Sequence, residues 1–191
     1  MVIGIDVDGV ILDYVNVVRA YAELYDFDVL NKQGVINNAG TKIEDRYDWT
    51  EEEFKNFADS HFYQLTTLSP FNPLAVEIIK RLHDEGHALY VITNRGLLSI
   101  EATKNCKEMF DKVNLAIDKY FWGIKDKVSV MKEHNVDILI DDSYNNCMAC
   151  VDNGLKAIYF REKDAPKIDS PLAYDVDNWG QVYRVIRNLS K

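Results

Sequence analysis

Four short apolar segments, each followed by a polar residue, constrain the fold of this chain more than any other feature of its sequence. They run from Val2 to Ile5, from Ala88 to Ile92, from Asp137 to Ile140 and from Ala157 to Phe160. Within them apolar residues follow one another without alternation, which is typical of strands that helices cover on both faces of a parallel sheet. The sequence therefore predicts a buried parallel sheet.

Helical patterns lie between these segments. Asn72 is a predicted N-cap residue, with Pro73 at the first helical position. Leu74, Ile78 and Leu82 then recur every four residues, which indicates a helix with one buried face. Further helices are predicted over residues 99–111, 126–134 and 179–189. Strands that alternate with helices indicate an α/β fold with a doubly wound parallel sheet.

Residues 14–70 interrupt the alternation. Val15 to Phe27 is predicted to be helical, whereas residues 30–48 contain loop-forming glycine and asparagine. Thr50 and Glu53 form a capping-box pattern at the start of a second helix. We therefore expect a small helical cap over 14–70, inserted into a Rossmann-like core of residues 1–13 and 71–191. The alternative is a long irregular crossover, which is rare at this length.

The charge and cysteine content restrict the partners and the compartment. With 22 basic and 31 acidic residues the net charge is −9, so the chain has no general attraction for nucleic acid polymers or anionic membranes. No apolar stretch approaches the roughly 20 residues of a membrane span, and no secretory signal pattern is present. The Cys147–Cys150 pair lacks the further ligands of a zinc site. We expect reduced cysteines on a helix and a cytoplasmic protein.

Polar residues with chemical potential follow three of the predicted strands. Asp6, Thr93 and the pair Asp141–Asp142 each stand at a carboxyl end. Ligands of open α/β sheets bind at that edge. One such residue would be an ordinary polar strand end, but together they predict a site that holds two acidic groups and a hydroxyl.

A second acid strengthens this prediction. Asp8 follows Asp6 by two residues, and Gly9 allows the loop to turn both carboxylates towards one space. Carboxylates so close together need a shared proton or a cation, and oxygen ligands without histidine or cysteine suit Mg²⁺. A lysine would complete the charge balance, and Lys127 or Lys125 precedes the third acidic strand.

In chain order these segments resemble four motifs of a known superfamily. Asp6-Val7-Asp8-Gly9-Val10, Thr93-Asn94-Arg95, Lys127 and Asp141-Asp142-Ser143 are similar to the ordered motifs of the haloacid dehalogenase-like phosphohydrolases. The stretches DVDGVILDY, ITNR and DILIDDSYNNC look like the 5′(3′)-deoxyribonucleotidase branch and its bacterial relatives. The resemblance covers residues 1–14 and most of 72–191, and it is weak across the insertion.

The resemblance implies a Mg²⁺-dependent phosphomonoesterase. Asp6 would be the nucleophile that forms an aspartyl-phosphate, and Asp8 would protonate the leaving group and then activate water. Thr93 would hydrogen-bond the phosphoryl oxygens, and Lys127, with Lys125 as the alternative, would steady Asp6 and the phosphate charge. An acid two residues after the nucleophile argues against the dehalogenase branch, which does not use one.

The resemblance also implies a set of metal ligands. They are Asp6, the backbone carbonyl of Asp8 and an acid of the fourth motif. Asp142 aligns with the ligand in relatives that carry Gly-Asp-Ser, so we expect Asp142 to bind Mg²⁺ directly and Asp141 to lie nearby. Many relatives have another acid four residues later, where this chain has Asn146. That amide carries no charge but can still accept a hydrogen bond from metal-bound water.

The implied substrate is a small phosphorylated metabolite, and in the nucleotidase branch a nucleoside monophosphate. Tyr14 matches an aromatic position that helps to hold the base, and Asn94 and Arg95 are expected to contact the substrate. Other aromatic residues of the cap either face the ligand or pack its core: Tyr47, Trp49, Phe62 and Tyr63. Two alternatives are a phosphatase for another organophosphate, such as a sugar phosphate, and a catalytically idle binding module. The second is disfavoured because all the catalytic motif residues are present.

Overall fold

The computed structural model describes residues 1–38, 43–97 and 99–191, and Gly40 of the predicted loop lies outside these ranges. The chain forms two compact units. The first comprises Met1–Leu12 together with Phe71–Lys191, and the second comprises Asp13–Pro70. None of the described helices combines the length and the apolar character that a membrane span requires.

The first unit is built on a parallel sheet that has six strands over the described residues. The strand order is β3-β2-β1-β4-β5-β6, and each neighbouring pair is parallel. The order reverses between β1 and β4, so the chain winds outwards in both directions from that point. The predicted doubly wound α/β sheet is confirmed. Its strands are β1 (Val2–Ile5), β2 (Ala88–Ile92), β3 (Lys119–Phe121), β4 (Ile138–Asp141), β5 (Lys156–Phe160) and β6 (Ala173–Val176).

Helices cover both faces of this sheet. Leu89 and Val91 of β2 belong to one apolar cluster, whereas Tyr90 and Ile92 belong to another, because successive side chains of a strand point to opposite faces. This arrangement explains why the strand sequence is apolar without alternation. The first cluster includes residues of α4 (Ala75–Asp84), α5 (Ile100–Lys112) and α8 (Trp179–Leu189), and the second includes residues of α6 (Lys127–Glu133) and α7 (Tyr144–Asp152).

The start of α4 differs from the prediction. The helix begins at Ala75, after Leu74 in the left-handed region with φ 66°. Asn72 is not its N-cap residue. The side-chain amide of Asn72 instead donates to the backbone carbonyl oxygens of Gly9, at 3.3 Å, and Val10, at 2.9 Å. The local pattern could not reveal this, because the competing acceptors lie in a loop distant in sequence.

The second unit is helical and has its own core. It contains α1 (Tyr14–Asp28), α2 (Ile43–Arg46) and α3 (Glu51–Thr67). The predicted capping box is present, since Thr50 accepts from the Glu53 N–H and Glu53 accepts from the Thr50 N–H. The short helix α2 falls within the stretch predicted as loop. The core of this unit is formed by Val18, Ala22, Tyr25, Tyr47, Phe57 and Leu65.

The aromatic residues of the second unit divide into two groups. Tyr47 and Trp49 stack with ring centroids 4.7 Å apart and contribute to the core. Phe62 and Tyr63 are exposed. Tyr14, the first residue of α1, packs against the same core.

Candidate active site

Strand register brings the predicted motifs of the first unit to one edge of the sheet. β1 is paired on one side with β2 and on the other with β4, and Ile5 is opposite both Val91 and Ile140. Asp6 therefore emerges between these two strands, and its N–H donates to the Ile140 carbonyl at 2.9 Å. The residues that end β1, β2 and β4 are thus neighbours in space although they are far apart in sequence.

Lys127 lies between two of the acids. It is the first residue of α6 and only 3% of it is exposed, and its Nζ is 3.0 Å from Asp6 Oδ1 and 2.6 Å from Asp141 Oδ2. Burial lowers the pKa of the ammonium, but the two carboxylates together outweigh burial and hold that pKa above its usual value. The alternative lysine, Lys125, is exposed at the surface. Lys127 is therefore the lysine that the fold brings to the acids.

Asp141 is completely buried and fully engaged by donors. Besides Lys127, the N–H of Ser143 donates to it at 2.9 Å, and Asn146 Nδ2 lies 3.1 Å from each carboxylate oxygen. Desolvation is the main cause that raises the pKa of Asp141 to about 6, although Lys127 opposes it. The contact from Asn146 was not predicted. It turns the donor end of the amide towards Asp141.

Asp142 has the opposite environment. Among the residues that the structure describes, none offers its carboxylate a hydrogen bond or an ion pair. Burial raises the pKa of Asp142 well above its usual value, and the charges of Asp141 and Asp6 raise it further. One oxygen from each of these three acids lies within 4.8 Å of the others. Three carboxylates around one lysine leave a surplus of negative charge that a cation would neutralise.

The donor set fits Mg²⁺. The cluster offers carboxylate oxygens, which this hard ion prefers over nitrogen or sulfur ligands. Gly9 has φ +77°, and a Cβ there would lie 2.0 Å from Asp142 Oδ2. A glycine is therefore needed at this position for the fourth-motif acid to reach the loop that follows β1. Asp6 and Asp142 would hold the ion, with Asp141 beside them.

Asp8 forms a two-point ion pair with Arg95. The guanidinium binds both carboxylate oxygens, from Nε to Oδ2 at 3.2 Å and from Nη2 to Oδ1. The side chain of Arg95 is 3% exposed, whereas that of Asp8 is 30% exposed. Burial raises the pKa of Asp8, and Arg95 opposes that shift. Such two-point contacts fix the orientation of the carboxylate as well as its charge.

The remaining predicted site residues occupy different settings. Thr93 is buried, and its Oγ1 accepts the N–H of Arg95 at 3.1 Å. Asn94 is exposed. Tyr14 belongs to the second unit, and its relation to the substrate stays a prediction. The first unit thus brings together Asp6, Asp8, Thr93, Arg95, Lys127, Asp141 and Asp142.

Comparison with known proteins agrees with this arrangement. No protein-family model matches the sequence. A Bacillus cereus protein named "Putative nucleotidase" is 31% identical over 153 residues, which cover 74% of this chain and 76% of that protein. A haloacid dehalogenase-like family hydrolase from Streptococcus pneumoniae shares the fold with a TM-score of 0.69 at 14% identity, over 97% of both chains. A predicted phosphatase from Clostridium acetobutylicum, again over 97% of both chains, gives 0.68 at 17% identity.

The chain belongs to the haloacid dehalogenase-like phosphohydrolase superfamily. The resemblance drawn from the four motifs is confirmed, and so is the enzyme class, a phosphatase. The match to the nucleotidase extends over three quarters of both proteins, so it is not confined to the short motifs.

Two residues of this phosphohydrolase that support the β1 loop (residues 7–12) were missed as site residues by sequence reasoning. The carbonyl oxygen of Val10 accepts from Asn72 Nδ2 and from Trp179 Nε1, each at 2.9 Å. Trp179 is completely buried at the start of α8. The sequence shows only that each of these two side chains carries a polar group, and this does not identify the acceptor.

The two carboxylate oxygens of Asp6 have different surroundings. Oδ1 accepts from the Val7 N–H at 2.8 Å and faces Lys127. No described residue donates a hydrogen bond to Oδ2. A carboxylate held at one oxygen and open at the other is suited to attack an electrophile while its orientation stays fixed.

Proposed function

We propose that this phosphatase is a Mg²⁺-dependent phosphomonoesterase that hydrolyses nucleoside monophosphates through an aspartyl-phosphate on Asp6. The observation that carries the proposal is the placement of Asp6 against Lys127, within a cluster that also contains Asp141 and Asp142. It joins a restrained carboxylate nucleophile to the positive charge that a phosphoryl group requires.

In the first step the open oxygen of Asp6 attacks phosphorus, and the bond from phosphorus to the ester oxygen breaks. Asp8 gives its proton to that oxygen, which leaves as an alcohol. In the second step Asp8 takes a proton from water, the water oxygen attacks phosphorus, and the bond from phosphorus to Asp6 breaks. The products are phosphate and the free enzyme.

The other polar residues support the phosphoryl group. Lys127 neutralises charge on Asp6 and on the phosphoryl oxygens. The Thr93 oxygen accepts from the Arg95 N–H, and the hydroxyl keeps its own proton to donate. A Mg²⁺ ion held by Asp6, Asp142 and the Asp8 carbonyl would supply further charge neutralisation. Asn94 is proposed to contact the substrate from the exposed side of its turn.

Two observations favour a nucleotide over another organophosphate. The relative from Bacillus cereus carries a nucleotidase name, and Tyr14 matches a base-holding aromatic position of the nucleotidase branch. The helical unit Asp13–Pro70 is proposed to act as a cap that selects the leaving group. Sugar phosphates are the alternative substrates.

A substrate panel tests the proposal. Phosphate release is measured on ribo- and deoxyribonucleoside 5′- and 3′-monophosphates, sugar phosphates and 4-nitrophenyl phosphate, with Mg²⁺ and after EDTA treatment. We expect nucleotides to give the highest kcat/KM and EDTA to abolish activity. Preference for a sugar phosphate would overturn the nucleotide assignment, and undiminished activity in EDTA would overturn the metal requirement.

Tyr14→Ala tests the base contact. Stacking on a base is worth about 1–3 kcal/mol, so nucleotide hydrolysis should weaken by roughly 5- to 150-fold. Tyr14→Phe, which keeps the ring, is the matched control and should retain most activity. Neither change should alter hydrolysis of 4-nitrophenyl phosphate. A parallel loss on both substrates would show that Tyr14 serves packing alone.

A further inference from the structure

The guanidinium of Arg95 contacts the proposed general acid and does not face solvent. Its side chain is 3% exposed, and its fork contacts both oxygens of Asp8, 87 positions away in sequence. An arginine so deeply buried needs an acceptor for its charge and its N–H groups. One acceptor is a carboxylate of the same compact unit.

The backbone that carries Arg95 is itself fixed. Its N–H donates to Thr93 Oγ1 at 3.1 Å, and its carbonyl accepts from the Gly123 N–H at 2.9 Å. Gly96, the next residue, has φ +102°, and a Cβ there would lie 2.4 Å from Thr103 Oγ1. Arg95 therefore approaches Asp8 from a turn whose backbone is hydrogen-bonded within the first unit and has no room for a side chain at residue 96.

The contact leaves Asp8 able to carry a proton. A carboxyl group has about four lone-pair positions, and a guanidinium fork occupies one on each oxygen. The remaining position on either oxygen can hold the proton that passes to the leaving group. Two parallel bonds, unlike one, also fix the rotation of the carboxyl plane and hence the direction in which that proton points.

We propose that Arg95 is a positioning residue for proton transfer by Asp8, and that it does not bind the substrate phosphate. The inference rests on the proposed role of Asp8 as general acid and base. In the first step Arg95 keeps the Asp8 proton directed at the ester oxygen. In the second it keeps the same oxygen directed at water.

The leaving group separates this role from phosphate binding. An alkyl ester needs a proton from the enzyme as its bond to phosphorus breaks, whereas 4-nitrophenolate leaves without one. Loss of positioning should therefore lower kcat/KM for alkyl esters alone, because kcat/KM reports the steps up to release of the alcohol. The attack of water on the aspartyl-phosphate is common to both ester classes and enters kcat only. Loss of a phosphate contact should lower kcat/KM for both ester classes.

The experiment compares Arg95→Lys and Arg95→Met with wild type, on nucleotide or sugar phosphate esters and on 4-nitrophenyl phosphate. We expect kcat/KM on the alkyl esters to fall by roughly 10- to 100-fold, within the contribution of a general acid. The kcat/KM for 4-nitrophenyl phosphate should change less than about threefold. Arg161→Lys is the matched control, because Arg161 also follows a strand and is also paired with a carboxylate. This variant should keep the wild-type pattern.

A double mutant decides the mechanism. In an Asp8→Asn background, Arg95→Lys should cost nothing further on alkyl esters, because the group it positions is gone. Equal losses of kcat/KM on both ester classes, or a loss that persists in the Asp8→Asn background, would overturn the inference. Circular dichroism and thermal unfolding monitor folding, and Arg95→Lys keeps the charge should Arg95→Met fail to fold.

The same measurements separate failure of the inference from failure of the proposed function. If Asp8→Asn lowers kcat/KM equally for alkyl and aryl esters, Asp8 is not the acid and the proposed mechanism fails with the inference. If Asp8→Asn shows the leaving-group dependence and the Arg95 variants do not, only the inference fails. Neither result depends on whether the preferred substrate is a nucleotide.

Discussion

Both compact units contain buried carboxylates, but the partners of these carboxylates differ between the units. Asp26 in the second unit is 1% exposed and accepts from the Trp49 indole at 2.6 Å and the Gly34 N–H at 2.7 Å. Each oxygen has its own neutral donor. In the first unit Asp6, Asp141 and Asp142 converge on each other with Lys127 as the cation that bridges two of them.

This difference distinguishes a structural acid from a functional cluster. A buried carboxylate that accepts a hydrogen bond at each oxygen contributes to the stability of the fold, because removing it leaves the donors unsatisfied. Acids that repel one another cost stability unless a ligand binds among them, and such perturbed groups concentrate at functional sites. The arrangement of donors therefore predicts which substitutions should affect stability and which should affect catalysis.

The largest expected effect is the loss of turnover in Asp6→Asn. An amide is a far poorer nucleophile, so kcat should fall by more than roughly 10³-fold. The fold should survive, since Lys127 keeps its contact with Asp141 and one repelling charge is removed. Phosphate-release assays and thermal unfolding, run beside wild-type protein purified in parallel, check both parts. Measurable turnover free of contaminating phosphatase would refute the assignment of the nucleophile.

Lys127→Met should damage both stability and activity. It leaves Asp141 buried beside other acids without its cation, and breaking a buried ion pair in this way costs about 3–5 kcal/mol. Chemical denaturation without Mg²⁺ measures the free energy of unfolding. Lys125→Met is the matched control, because Lys125 is exposed and should change stability little. Equal effects of the two substitutions would show that the buried ion pair of Lys127 does not stabilise the first unit.

Asp26→Asn should reduce stability in the second unit. One acceptor becomes an NH₂ group that faces a donor, so the free energy of unfolding should fall by about 1–3 kcal/mol. Asp28→Asn, at the exposed end of α1, provides the control and should be nearly neutral. A neutral result at Asp26 would mean that its two donors find other partners.

Asp142→Ala and Asp141→Ala should differ in their need for Mg²⁺. Asp142 has no other partner among the described residues, whereas Asp141 is held by Lys127, Ser143 and Asn146. The Mg²⁺ concentration for half-maximal activity should therefore rise more in Asp142→Ala, by about 10-fold or more. The reverse order in a Mg²⁺ titration would show that the two acids have exchanged roles.

The smallest expected effect concerns the three cysteines, whose thiols should not be alkylated in the native protein. Burial raises the pKa of Cys106 and Cys150 to about 12 and that of Cys147 well above its usual value, so no thiolate forms near neutrality. Iodoacetamide at pH 8 should label none of the three in native protein and all three after denaturation, as read by mass spectrometry. Rapid native labelling of Cys147 or Cys150 would indicate that α7 opens readily.

Burial explains which strands could be predicted from the sequence. The strands β1, β2, β4 and β5 have partners on both sides, and their residues are apolar on both faces, so their positions were evident. β3 and β6 are the edges of the sheet, are only three and four residues long, and carry Lys119 and Asp175. Edge strands tolerate polar residues because one side faces solvent, and such residues remove the apolar pattern.

The same limit applies to the site. Asp6, Thr93 and Asp141 were located from strand ends, because the geometry of a parallel sheet fixes where those ends lie. The contact of Arg95 with Asp8 and that of Asn72 with Val10 join residues 87 and 62 positions apart. No local pattern encodes such pairs. Asn72 was assigned to a helix cap because its short polar side chain fits that position equally well.

The path of the chain where the first unit is interrupted determines what kind of segment can be inserted there. Leu12 and Phe71 form an antiparallel bridge, and the Asn72 N–H donates to the Ile11 carbonyl at 2.9 Å. The core thus closes the gap itself, so any segment spliced in here begins and ends at adjacent points. The entropic cost of closing a loop grows slowly with its length, so segments of different size are tolerated almost equally. The sheet of the first unit can therefore accommodate inserted segments of different length at this position without any change in its own strands.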